Sequence, residues 1–223
     1  MWCIRKIDDE FERKMLDVLE VYERAYDPKK PVLCVDEKSK QLLGDVRLDI
    51  PMTPSSLRKT DYEYTRHGTV NIFVAVEPKG KKRKLQVTKH RKAPDFAHFI
   101  DKLVNTTYKK APTVVLVTDN LNTHGEKSIR TTFDEKKAAQ ILSKIEWHYT
   151  PKHASWLDQA EIEINVLSRQ CLRQHISTFQ AMQTQCAAWQ DNRNKKQIGI
   201  TWQFTREKAI KKFKLKQTEM EIN

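Results

Sequence analysis

Apolar residues at helical spacing (Phe11, Met15, Val18, Leu19 and Tyr22) predict a helix over residues 11–26, closed by Asp27-Pro28. After Pro31, the short apolar run Val32-Leu33-Cys34-Val35 reads as a buried strand, with Asp36 directly behind it. Residues 38–65 show no clear period and contain Pro51 and Pro54, so they read as an irregular excursion. Two strands, 69–76 and 84–88, flank the turn Pro78-Lys79-Gly80-Lys81 and predict a hairpin. Phe96, Phe99, Ile100 and Leu103 form a helical stripe. Residues 113–118 are the most apolar strand of the chain, and Asp119 follows them directly. A helix over 126–142, a strand over 145–149 and helices over 157–171 and 178–192 complete the pattern, followed by a basic tail carrying Trp202 and Phe204.

This order predicts an α/β fold. A hairpin is antiparallel, whereas strands joined through helices tend to be parallel, so the sheet should be mixed. One five-stranded mixed sheet flanked by helices on both faces uses every element. The chain divides into a helical lead-in (1–30), a main body (31–195) and a basic tail packed on or extending it (196–223). No internal linker, repeat or low-complexity tract interrupts the body.

Charge narrows the choice of partner. Lys and Arg outnumber Asp and Glu by 41 to 29 in 223 residues, a net charge of +12. Such a surplus favours a polyanion, because each neutralised phosphate releases condensed counterions, although a basic protein without such a partner carries the same surplus. The hairpin concentrates it: Lys79, Lys81, Lys82, Arg83, Lys84, Lys89, Arg91 and Lys92 occur with no acid between them. That run is either a solvated tip or a phosphate-contacting surface. Cys3, Cys34, Cys171 and Cys186 are too scattered for a zinc ribbon or a disulfide framework, so a reducing cytosol is expected. The start lacks the apolar run of a signal peptide, no stretch approaches a membrane-spanning length and no Gly-x-Gly-x-x-Gly loop occurs, so neither a membrane-spanning helix nor a phosphate-cradling loop of that type is expected.

The remaining candidates are carboxylates. Asp36 and Asp119 both follow buried strands, and adjacent strands would bring them to one edge of the sheet, where open α/β sheets bind ligands. Either alone could equally be a turn former or a helix cap. On the helix after Trp156, Leu157, Ala160, Ile164, Leu167 and Cys171 make the core stripe. Glu161 lies on its flank, and Glu163 is expected on the opposite flank, nearer solvent. A carboxylate beside the core is costly unless paired or metal-bound, so Glu161 is the better ligand candidate, a rim ion pair with a lysine being the plain alternative. Two Asp and one Glu suit Mg²⁺ or Mn²⁺, which prefer hard oxygen ligands, and two such ions can serve both oxygens of a phosphodiester displacement.

Three stretches carry a resemblance: YERAYDPKKPVLCVDEKSKQLL (22–43), LVTDNLNTH (116–124) and HYTPKHASWLDQAEIEINVLSRQCL (148–172), with shorter likenesses in DYEYTR (61–66) and APDFAH (93–98). Together they make the chain similar to bacterial insertion-sequence transposases of the mariner-type superfamily, DDE enzymes with a ribonuclease-H-like fold. The resemblance implies that 31–195 is the catalytic domain and that Asp36, Asp119 and Glu161 are the catalytic, metal-binding triad. It implies two Mg²⁺ or Mn²⁺ ions with DNA bound, strand cleavage followed by attack of the freed 3′-hydroxyl on target DNA, and no covalent protein–DNA intermediate. It also implies double-stranded DNA partners (element ends and target), duplication at a TA dinucleotide, a homodimer in a synaptic complex and a cytoplasmic, nucleoid-associated location. His124, Lys152 and His153 join the basic hairpin as expected DNA contacts; His148 lies close by.

Two residues depart from the family pattern: Asp158 stands where Asn is usual, and Ala154 where Gly is usual. Helical spacing would put Asp158 on the face of Glu161, adding charge there. Family members also carry N-terminal helix-turn-helix units that read the terminal repeats, and residues 1–26 are too few to hold them. The chain is therefore expected to bind DNA without sequence preference on its own. An inactive remnant that only binds DNA, a structure-directed nuclease of the same fold, and a zinc hydrolase are the competing readings. The third motif disfavours the nuclease, and the His148/His153 spacing matches no zinc-ligand pattern.

Overall fold

The structure, a computed structural model, describes residues 7–47, 49–59, 61–119 and 123–215. Its five strands form one sheet in the order β3-β2-β1-β4-β5. β1 (Val32–Asp45), β2 (Tyr64–Glu77) and β3 (Lys82–Thr88) are successively antiparallel, whereas β4 (Val114–Thr118) and β5 (Ile145–Tyr149) run parallel to β1. The mixed sheet follows from the chain's connections: a tight turn joins β2 to β3, and helices join β3 to β4 and β4 to β5.

β1 and β2 are longer than their apolar runs suggest, and the irregular excursion shrinks to residues 46–63. The reason lies in pairing. β4 covers only Val32–Val35 of β1, so from Asp36 onward one side of β1 is an open edge, paired to β2 alone. An edge tolerates the polar residues Glu37–Gln41 that hide the strand in the sequence. Asp36 therefore does not follow a strand; it sits within β1, opposite Val74, at the point where the parallel neighbour ends.

Side chains alternate across the sheet. Leu33, Val35, Phe73, Ala75, Val114 and Leu116 face α2 (Ala93–Lys102), α3 (Glu126–Thr132) and α4 (Glu135–Leu142), burying Phe96, Phe99, Ile100, Ile129 and Ile141. On the other face, Cys34, Val115 and Val117 pack with α1 (Asp9–Glu23), the first turn of α5 (Gln159–Gln170) and α7 (Arg206–Phe213). Leu42, Val70, Ile72 and Val74 pack with the later turns of α5 and with α6 (Phe179–Lys195). Parity thus puts Asp36 on the α5 face and Glu37 on the α2 face.

Local signals explain several boundaries. The helix expected over 126–142 breaks into two, because Asp134 takes an extended conformation and caps α4 through Lys137 N. The helix expected from Leu157 starts at Gln159, after a 3-10 turn at Ser155–Leu157. Trp202 of the tail packs edge-on against Tyr22 with ring centroids 5.4 Å apart. The outer ends of the lead-in (1–6) and of the tail (216–223) lie outside the described residues.

α6 closes the open edge of β3 with side chains. The amide of Asn194 exchanges hydrogen bonds with Arg83 N and O at 2.9 and 3.0 Å, and Gln190 Oε1 accepts from Leu85 N at 2.8 Å. Backbone groups of an edge strand are thereby satisfied without a sixth strand. Thr178 caps α6, its hydroxyl accepting from Ala181 N at 3.1 Å. Thr178→Ala is expected to destabilise the protein by about 1 kcal/mol, read as a shift of the urea midpoint with an unchanged slope. No described helix is long and apolar enough to cross a membrane.

Candidate active site

Asp36 and Asp119 are brought together by parallel register. Val35 lies opposite Thr118, so the next residue on each strand is one of the two aspartates. Glu161 comes from the first turn of α5, over the same face. Asp158 caps that helix: its Oδ1 accepts from Ala160 N at 2.8 Å, while its buried Oδ2 finds no partner.

The four carboxylates feel one another. Burial, and after it the nearby charges of Glu161, Glu37 and Asp119, push the Asp36 carboxyl up to about 7 against a lowering hydrogen bond from Glu37 N. Asp158 is 1% exposed, and burial, followed by the charge of Asp36, drives its carboxyl well above the usual range. The same burial disfavours its charged form, and a carboxyl has the planar outline of the amide usual at this position in the family the sequence resembles. Asp158 is a buried cap, not a member of the helical face of Glu161. At the second departure, Ala154 has φ −121°, which alanine adopts freely, while His153 beside it takes the left-handed φ of 63°.

His124 occupies a different place from the one expected. It is 3% exposed, stacked on Phe96 with ring centroids 4.8 Å apart, and clamped between two acids. Nδ1 lies 2.5 Å from Asp119 Oδ1 and Nε2 lies 2.7 Å from Glu37 Oε2. An enclosed ring cannot reach a phosphate; it orients Asp119 instead. Burial opposes its charge, but the hydrogen bonds to Asp119 and Glu37 outweigh that and raise its pKa to about 9. The sign is that of a raised base: the stabilisation is complete below about pH 6.5 and fades as pH rises through about 9. NMR titration of His124 in metal-free protein should give a midpoint near 9, and a midpoint at or below 6.5 would contradict the clamp.

Glu161 and Glu163 exchange their expected environments in part. Glu161 is half-buried, as its flank position suggests, but Glu163 is fully buried rather than near solvent. Arg83 explains it. Its guanidinium, also buried, meets Glu163 Oε1 at 3.0 Å, and Arg193 forks onto both Glu163 oxygens at 3.1 and 3.2 Å. Arg83 thus points into the interior and is withdrawn as a DNA contact. The alternation of β3 turns it inward, while the neighbouring lysines face outward or lie half-buried.

The rest of the basic run divides into two groups. Lys79, Lys81 and Lys82 lie at the hairpin tip, on the side away from Asp119. Lys89, Arg91 and Lys92 lie about 20 Å away along the strand, on the side of the carboxylates, where Arg91 reaches Glu37 at 3.3 Å. Lys84 is half-buried between the groups, and Lys152 and His153 are exposed on the loop before the 3-10 turn. His148 is a tether: it lies 2.8 Å from Asp17 and 3.1 Å from Glu146, joining β5 to α1. Glu37 and Arg193 escaped the sequence reading, and only the proximity of Glu37 to Asp36 in VDEK could have drawn attention to it.

Among the described residues, no three His, Cys, Asp or Glu side chains already enclose a metal position. The donor set still fits a hard divalent cation: clustered carboxylates, one held up to about 7 by burial and its neighbours' charge, and the unpartnered buried oxygen of Asp158 behind them. An apolar cavity of about 410 Å³ between Tyr22, Val32 and Trp202 contains none of these groups.

Solved structures of the Mos1 mariner transposase share the fold. The paired-end complex with Mn aligns with a TM-score of 0.54 at 14% identity, over 96% of this chain and 63% of that one. The strand transfer complex gives 0.53 at 13%, over 96% and 62%, and the paired-end complex with Mg gives 0.52 at 14%, over 91% and 66%. The chain therefore spans less than two thirds of the length of the Mos1 chains, and the five-stranded sheet with flanking helices is the ribonuclease-H-like fold they share. No curated protein sequence matches. The family model described as DDE superfamily endonuclease matches residues 31–183, more than half of the sequence, and the chain accordingly belongs to the DDE superfamily endonuclease family.

Proposed function

We propose that this chain is the catalytic domain of a mariner-type DNA transposase, cutting DNA strands at element ends and joining the freed 3′-hydroxyl to target DNA. The observation that carries this reading is the approach of Asp36, Asp119 and Glu161 at the edge where β4 ends, close enough for the charges of Glu161 and Asp119 to help raise the Asp36 carboxyl. Asp36, Asp119 and Glu161 would hold the Mg²⁺ or Mn²⁺ ions, two with DNA bound, and these supply Lewis-acid charge beside the scissile phosphate. The chain's own groups prepare that site. His124 fixes Asp119, Asp158 caps the helix presenting Glu161, Lys89, Arg91, Lys92 and Lys152 offer positive charge to the flanking phosphates, and His153 offers a ring N–H.

In this reading residues 31–195 are the catalytic body, and the described parts of its flanking segments, 7–30 and 196–215, contribute α1 and α7 to one face of the sheet. Sequence-specific reading of the element ends belongs to helix-turn-helix units outside these residues, and a homodimer handles the two ends together. The test is cleavage and strand transfer on labelled duplex DNA with Mg²⁺ or Mn²⁺, comparing wild type with Asp119→Ala and Glu161→Ala. Metal-dependent product lost in both variants supports the reading. Activity retained in Glu161→Ala would contradict the triad. Duplex binding without any cleavage, even after the DNA-reading region is supplied, would favour a binding-only remnant.

A further inference from the structure

α5 leads away from the carboxylates to a second feature. Where it ends, a groove of about 1050 Å³ opens between the following turn, α6 and the excursion that joins β1 to β2. Its walls include Arg169, Arg173 and Arg58 and no carboxylate residue. Arg58 pairs with Asp49 of its own excursion. Arg169 and Arg173 are exposed, and neither forms an ion pair with a described residue. The negative end of α5 accounts for a cation at Arg169. It does not account for Arg173, which lies beyond the helix, or for Arg58, which a separate segment brings in.

The neutral groups of the groove are tied together. Trp189 Nε1 donates to Gln170 Oε1 at 3.0 Å, and Gln174 Nε2 donates to Gln185 Oε1 at 2.9 Å. These amide links brace the two walls and leave the guanidiniums as the charged groups of the lining among the described residues. Planar, weakly hydrated forks of this kind match phosphate oxygens in pairs.

Position sets what the groove can grip. Arg169 follows Glu161 by eight residues of α5, a rise of about 12 Å with a rotation of about 80°, so both lie on one half of the helix. That rise equals about three to four base pairs of a duplex. β1 continues in the same direction, from Asp36 to Leu42, beneath the same helix. A duplex with one phosphodiester at the carboxylates would therefore run towards these arginines.

We infer that the groove at the α5–α6 end is a second DNA-backbone contact, engaging phosphates about three to four base pairs from the reacting one. The inference rests on the DNA-processing reading above and adds a surface that the basic hairpin does not include. It is tested by fluorescence anisotropy with a short random-sequence duplex across a range of NaCl, using the whole chain. Arg169→Ala/Arg173→Ala is compared with wild type and with Lys79→Ala/Lys81→Ala at the remote tip. Removing two phosphate contacts should weaken binding by about tenfold or more at moderate salt and reduce the slope of log K against log[NaCl] by about 2. The tip variant should bind more tightly than the groove variant. Both pairs are exposed, and an unchanged thermal midpoint shows that the fold is kept. If Arg169→Gln/Arg173→Gln, folded by the same criterion, also keeps the wild-type slope, the groove does not contact DNA. Loss of binding to polyglutamate with duplex binding intact would likewise overturn the inference in favour of an acidic protein. Failure of wild type to bind duplex even at low salt would instead bring down the DNA-processing reading itself.

Discussion

Asp119→Ala and Glu161→Ala are each expected to lower metal-dependent strand cleavage by at least about a thousandfold, since Lewis-acid stabilisation contributes several kcal/mol and each 1.36 kcal/mol is tenfold in rate. Loss of activity alone would not separate a metal ligand from a residue that holds the fold together. The electrostatics supply the separation. In the metal-free protein Asp36 is held up to about 7, whereas its unfolded value is about 3.9. Between those values the folded chain retains a proton that the unfolded chain has released. Stability therefore falls as pH rises across this window, by at most about 4 kcal/mol. Asp36→Asn should flatten that decline and leave metal-free protein at pH 7 at least as stable as wild type, while abolishing cleavage. Urea denaturation in EDTA at both ends of the window checks this. A variant much less stable than wild type would make Asp36 a structural residue.

Glu163→Ala is expected to do the opposite: to destabilise the fold by about 3–5 kcal/mol, because it strands the buried Arg83 without its counter-charge. Glu163 is the shared acceptor of Arg83 from β3 and Arg193 from α6, so its loss also loosens the helix that covers the open edge of the sheet. The pair Glu161 and Glu163, two residues apart, is thus expected to divide: Glu161 dispensable for folding and needed for chemistry, Glu163 the reverse. Chemical denaturation of Glu161→Gln beside Glu163→Ala measures the contrast. Equal losses in both would contradict the assignment.

The five strands and the mixed character of the sheet were largely legible because apolar runs such as residues 113–118 and the hairpin turn at 78–81 are local signals. The second half of β1 was not, since an edge strand paired on one side carries polar residues that resemble a loop. The positions of Asp36, Asp119 and Glu161 beside apolar runs were visible as spacing. The inward turn of Arg83 was not, because its counter-charge lies 80 residues away on α5 and the second arginine 110 away on α6. Helical periodicity placed Glu163 near solvent, but a helix covered on a second side by α6 has no free flank there. His124 was misassigned for a similar reason: nothing in TDNLNTH tells that Phe96 and Glu37, from α2 and β1, close over the ring.

The most direct measurement is Mn²⁺ binding to the purified chain, followed by electron paramagnetic resonance at neutral pH. The account predicts bound Mn²⁺ in wild type, with affinity reduced by at least about tenfold in each of Asp36→Asn, Asp119→Asn and Glu161→Gln, all three remaining folded. Unchanged Mn²⁺ affinity in the three folded variants would contradict the claim that these carboxylates are the metal-binding centre.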